Sequence, residues 1–121
     1  MARRALLALP LGLAACATPV QQGFALYVSD ATLCNAPPEQ QEQADLFYLT
    51  RDGLTGRSHD CLFDVPQGFE PGTVTEVSGT CVDAVGGADG ALLVRVSPDA
   101  SVVEVTGDIV PAGPTRFEAC P

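Results

Sequence analysis

Few side chains in this sequence could do chemistry. Its one histidine, His59, follows Ser58 and precedes Asp60, a trio that could supply nucleophile, base and acid if space brought them together. Neighbours on a strand, however, point to opposite faces. A serine nucleophile also needs a base across from it and a strained turn such as the G-x-S-x-G elbow. No such elbow occurs, and nothing marks Ser58 or Ser78, so His59 reads as a surface or strand-edge residue. Asp83 and Asp89 frame the stretch DAVGGADG and could offer two carboxylates to calcium. Calcium takes six or more oxygens, usually from regularly spaced acids, and the glycines read instead as a flexible hairpin loop. Glu39, Glu42 and Asp45 suit the solvated face of a short helix. Arg51 and Arg57 flank a turn; they could hold an anion, but pairing with Asp52 and Asp60 is the expected outcome. No cofactor or metal site is expected, and the chain is not expected to be an enzyme. The competing reading is a small His-dependent or metal-dependent enzyme built on His59.

The start of the chain is more specific. Met1–Ala15 reads MARRALLALPLGLAA, two arginines and then eleven residues broken only by Pro10 and Gly12. Eleven helical residues rise about 17 Å, short of the roughly 30 Å hydrocarbon core, so the segment suits a cleaved secretory signal rather than a spanning helix. It ends Leu13-Ala14-Ala15-Cys16, which resembles the lipobox of bacterial lipoproteins. The resemblance covers the first sixteen residues. It implies that Cys16 is alkylated with a diacylglyceryl group, that cleavage precedes it, and that its new amino group is then often acylated. Ala17, standing where an Asp favours inner-membrane retention in that family, resembles an outer-membrane signal. The implied location is the cell envelope, on the outer membrane and facing the periplasm. Two or three chains at about 0.8 kcal/mol per buried CH₂ hold a protein stably. Ala17–Gly23 then forms a tether reaching about 23 Å at most.

Beyond the leader, four Arg face fifteen acids, a balance of −11. That opposes nucleic acid, whose affinity rests on cations at phosphates, and repels anionic headgroups, leaving the acyl group to hold the bilayer. Apart from Cys16, four cysteines remain, Cys34, Cys61, Cys81 and Cys120. An even number in a small exported domain points to two disulfides with three possible pairings. We favour Cys61–Cys81, stapling neighbouring strands, and Cys34–Cys120, closing the domain's ends. No C-x-x-C spacing supports zinc.

The elements that must position these residues are mostly strands. Apolar or Val/Thr-rich runs at Phe24–Val28, Leu46–Thr50, Cys61–Val65, Thr73–Val82, Ala91–Ser97, Ser101–Thr106 and Thr115–Cys120 are separated by turn signals. Pro37-Pro38 opens a short helical stretch, Glu39–Gln43. Val94, Val96, Val103 and Val105 share one face, with Arg95 and Glu104 on the other. Phe47, Tyr48 and Phe63 read as core. The chain therefore divides into a leader (1–15), a lipidated Cys and tether (16–23), and one small β domain (24–121). That domain is mainly β, an antiparallel meander or barrel of six to seven strands with one short helix and two disulfides. Its layout resembles small periplasmic barrels, including lipocalin-like protease inhibitors, in architecture only. The expected function is a membrane-anchored envelope protein with a non-catalytic binding or structural module, its partner an envelope protein or a small ligand. Protease inhibition is a further alternative.

Overall fold

Side chains two apart along a strand share a face, and several strands show this alternation as burial. In β4 (His59–Phe63) residues 59, 61 and 63 are buried while 60 and 62 are exposed. The same rhythm governs β7 (Val102–Thr106), where Val103 and Val105 are buried, and the second half of β6 (Gly87–Val96), where Leu92, Val94 and Val96 are. The computed structural model describes residues 27–121. Its remaining strands are β1 (Tyr27–Val28), β2 (Tyr48–Thr50), β3 (Gly53–Thr55), β5 (Val74–Asp83) and β8 (Arg116–Ala119). Each pairs antiparallel with the next and β1 pairs with β8, closing an eight-stranded barrel. The leader, Cys16 and the tether fall outside the described residues.

The mainly β, disulfide-stapled domain is as expected, with one strand more than the six to seven anticipated. The extra strand is β3. Its sequence, inside RDGLTGR, reads as a turn because Gly53 and Gly56 bracket it. Leu54 decides otherwise: it is buried in the core and pairs with Leu49 on one side and Cys61 on the other. The expected flexible loop at 83–90 is also mostly strand. β5 and β6 stay in register from Val74↔Arg95 to Val82↔Gly87. Only Ala84–Gly86 turn, held by the Asp83 carboxylate accepting from the Val85 and Gly86 N–H groups at 2.9 and 3.0 Å.

Phe47, Leu49, Leu54, Leu92, Val94, Val103, Val105 and Phe117 fill the interior, each almost wholly removed from water. Tyr48 is not among them. It is half-buried on the outer wall, where its hydroxyl donates to Gln41 Oε1 at 2.9 Å. Gln41 Nε2 donates in turn to the Leu33 carbonyl at 2.7 Å, which docks α1 (Pro38–Gln43) against the 3₁₀ turn at Ala31–Leu33. Both disulfides are those favoured from sequence. Cys61 and Cys81 face each other directly on β4 and β5. Cys34 and Cys120 join the segment after β1 to the chain after β8, beside the seam where the barrel closes.

A second clasp lies at the β6–β7 turn. Asp99 accepts from the Ser97 hydroxyl, the Ser101 N–H and the Ser101 hydroxyl, at 2.9, 3.0 and 2.7 Å. These bonds hold Ala100 in the left-handed region, φ 61°, a conformation that costs an L-residue roughly 1 kcal/mol. The Ala100 carbonyl accepts from the buried Tyr27 hydroxyl, linking the turn to β1. The Ser101 hydroxyl first, then the Ser101 N–H and the Ser97 hydroxyl, pull the Asp99 carboxyl down to about 2. Burial first, and the Asp99 charge second, push the Tyr27 phenol up.

Two predictions follow from these ties. On the chain-entropy model, losing the 20-residue Cys61–Cys81 closure should cost about 3 kcal/mol, and losing the 86-residue Cys34–Cys120 closure about 4.5 kcal/mol. Urea unfolding of the two double Cys→Ser variants should rank them in that order, and the reverse ranking would contradict the closure role. The Asp99 carboxyl is depressed on folding, so its contribution is complete above its unfolded pKa of about 4 and fades as pH falls toward its folded value. Asp99→Ala should therefore lower the urea midpoint at pH 7, with the gap to the parent protein closing between about pH 4 and pH 2.

Candidate functional site

Two places in the barrel combine chemistry with unusual surroundings. The first is His59. The expectation of a surface or strand-edge position is overturned: only 3% of His59 is exposed. The reason is parity. Cys61 and Phe63 face inward, so His59, on the same side of β4, must face inward as well. Its ring lies 4.8 Å from that of Phe47, tilted by 44°. Gly113 lies so close that a Cβ there would sit 2.9 Å from His59 Cε1, so glycine is what leaves room for the imidazole. The Ser58 hydroxyl lies 3.2 Å from Nδ1, while Nε2 is buried with no hydrogen-bond partner among the described residues.

This arrangement lacks the relations that nucleophilic catalysis requires. Ser58 meets the imidazole only as its chain neighbour, and no carboxylate orients the other ring nitrogen. Asp60 points to the opposite, solvent side, where it accepts from the Gly56 N–H at 3.2 Å. Asp83 is level with His59 on β5, but its carboxylate is engaged with the hairpin turn.

The remaining polar candidates are dispersed. Asp89 accepts from the Thr80 hydroxyl across the ladder at 2.6 Å, and does not converge with Asp83. Among the described residues no group of three or more His, Cys, Asp or Glu could hold a metal ion. The expected pairing of Arg51 and Arg57 with neighbouring acids gives way to carbonyl contacts. Arg51 donates to the Pro66 carbonyl at 3.0 Å and Arg57 to that of Glu42 at 3.2 Å. The ion pair present among the described residues is Arg95–Glu104, at 3.8 Å on the outer wall, as their shared face implies.

The second place is the outer wall of β3–β6. The alternation that buries Cys61 and Phe63 forces Leu62 outward, where it is 70% exposed between Asp60 and Asp64. Val82, facing Asp60 across the ladder, is 50% exposed, and Val85, at the hairpin tip, is 96% exposed. Two adjoining depressions, of about 830 and 410 Å³, share Asp52, Leu62 and Thr80 in their walls. In the larger one, the small side chains of Ser78 and Thr80 leave the space open. Gly79 lies opposite the inward Phe63 and lends the groove only its backbone; on the core side a Cβ would stand 2.5 Å from Leu92 Cδ1 and 2.7 Å from the Leu62 carbonyl. This surface was not among the sites expected from the sequence. The signal for it was present in the run Asp60-Cys61-Leu62-Phe63-Asp64, once the inward parity of Cys61 and Phe63 is fixed.

Comparison with protein-family models, with curated proteins and with solved structures gives no match.

An imidazole whose Nε2 makes no hydrogen bond gives the core volume rather than polar stabilisation. His59→Phe should thus change stability by less than about 1 kcal/mol, whereas His59→Ala, which leaves a cavity beside Phe47, should cost about 2–4 kcal/mol. Thermal and urea unfolding of both variants measure this; a severe loss in His59→Phe would reveal a partner for the ring.

Proposed function

We propose that this protein is a lipid-anchored component of the bacterial cell envelope, held through Cys16, whose barrel is a non-catalytic binding module working through its outer wall. The observation that carries the anchor is the cysteine arrangement. Two disulfides use Cys34, Cys61, Cys81 and Cys120, and the fifth cysteine is the one that ends the Arg-Arg-apolar leader in Leu13-Ala14-Ala15-Cys16. Disulfides form in oxidising compartments, which agrees with export. The periplasmic face of the outer membrane is the location that Ala17 and this leader suit best.

Binding through the wall is supported by where the apolar surface lies. Core side chains fill the barrel axis, while Leu62, Val82 and the adjoining depressions lie outside. A filled interior leaves no room for the central ligand that wider eight-stranded barrels carry. Surface apolar groups rimmed by polar ones are the usual mark of a macromolecular contact.

Intact mass of detergent-extracted protein tests the anchor. The expected species begins at Cys16, carries added acyl mass, and takes up four thiol labels only after reduction. In detergent phase partitioning it should enter the detergent phase, and Cys16→Ala should remain in the aqueous phase. A lipid-free wild-type species would overturn the anchored reading.

A further inference from the structure

The outer wall of β3–β6 presents an aliphatic centre, a floor of small residues and a rim of carboxylates. Leu62 and Val82 form the centre; Asp52, Asp60, Asp64 and Asp89 line the two depressions around them. We propose that this groove is the docking surface for a cationic segment of another protein, one that lays an apolar side chain against Leu62 and Val82 and directs Arg or Lys at the surrounding carboxylates. The inference deepens the binding role proposed above and rests on it.

Charge selects the occupant. None of the four rim carboxylates pairs with an arginine of the described residues, where the ion pair present is Arg95–Glu104. Asp60 and Asp89 each accept one short-range hydrogen bond, and Asp52 and Asp64 accept none from a described side chain or N–H. The rim thus offers acceptor capacity that a guanidinium or ammonium can take up. A second copy of this chain is a poor occupant, because it brings the same acids on a body with formal net charge −9. Anionic lipid headgroups are repelled for the same reason. A lone metal ion is unsuited, since the acids are spread around the groove and do not converge.

Geometry narrows the mode. Around Leu62 the backbone is paired on both sides, with Gly53 on β3 and Thr80 on β5, so a partner cannot extend the sheet there through backbone pairing. Recognition must run through side chains on the wall. Leu62 is the natural anchor, as an exposed aliphatic residue at the junction of both depressions. Rim charges act mainly on association rate and salt dependence, while a desolvated apolar centre acts on dissociation.

The test uses the full chain in a non-ionic detergent and a defined probe: the peptide Gly-Lys-Lys-Leu-Lys-Lys-Gly bearing a fluorophore, read by anisotropy at two salt concentrations. Detergent alone and a Leu→Ser form of the probe serve as references. The triple variant Asp52→Asn/Asp64→Asn/Asp89→Asn should weaken binding at least tenfold. A charge-matched control, Glu39→Gln/Glu70→Gln/Glu118→Gln, changes acids outside the groove and should weaken it less than twofold. Leu62→Ser, with every acid intact, should weaken it about fivefold, and raised salt should weaken it further. Equal losses in the two triple variants would mean attraction to net charge alone and would overturn the proposal, as would failure of the parent protein to bind. The Leu62 and acid variants are independent readouts, so one that failed to fold would leave the other decisive. Acyl mass on a chain that ignores the peptide would sink this surface and leave the anchor standing; peptide binding by a lipid-free chain would do the reverse.

Discussion

Closure of the ring is the constraint on which everything else in this barrel depends. Among the described residues, β1 meets β8 through Tyr27↔Ala119 and Val28↔Glu118, and meets β2 through two further pairs. Each strand brought to the seam must lose backbone entropy, which the ladder and other bonds have to offset. The seam is reinforced by bonds of other kinds. Cys34–Cys120 ties the chain just beyond it, and the Tyr27 hydroxyl reaches across to the Ala100 carbonyl. The Ala119 N–H also donates to the Ser101 carbonyl, binding β8 to the turn that Asp99 shapes. Closure in turn divides every strand into inward and outward residues, and that division decides which side chains can meet a partner.

Seen from that division, His59 and Leu62 exchange the roles their chemistry would suggest. The polar, titratable residue is sealed inside and the aliphatic one is put into water. Parity leaves no alternative, since a one-residue slip of β4 would expose Cys61 and Phe63 and break the bond to Cys81. The core accommodates the imidazole at modest expense because Phe47 offers its ring and Gly113 makes room. Nothing inside compensates Leu62, whose exposure is more readily understood if a partner covers it.

Much of the fold was legible because its signals are local. Val94, Val96, Val103 and Val105 announce their face by alternation, and the Arg95–Glu104 pair follows from the same count. The two disulfides were favoured by position, one between adjacent strands and one between the ends. β3 was not legible, because only Leu54 and Thr55 separate Gly53 from Gly56 and two residues carry no periodicity; Leu54 is held there by Leu49 on β2 and Cys61 on β4. The start of β6 failed for a related reason. Gly87–Gly90 has no intrinsic strand preference and is extended because β5 opposite it supplies the ladder. The groove escaped notice because it is a property of parity across several strands: each of its residues alone reads as ordinary surface.

The acidity of the chain acquires a use when anchor and groove are considered together. Under the proposed attachment through Cys16, a strongly negative domain would be pushed away from anionic headgroups while its anchor kept it near the membrane. Within that layer the field of the domain draws cationic partners and discourages self-association. Scattered acids would serve those ends without any groove. What the proposed groove would add is discrimination: Leu62 and Val82 would reward a segment that brings an apolar side chain with its charge, and the small side chains of Ser78 and Thr80 leave room for it to approach. General attraction is then set by composition, while choice among cationic partners is set by the few outward residues that the inward packing of β4 and β5 dictates.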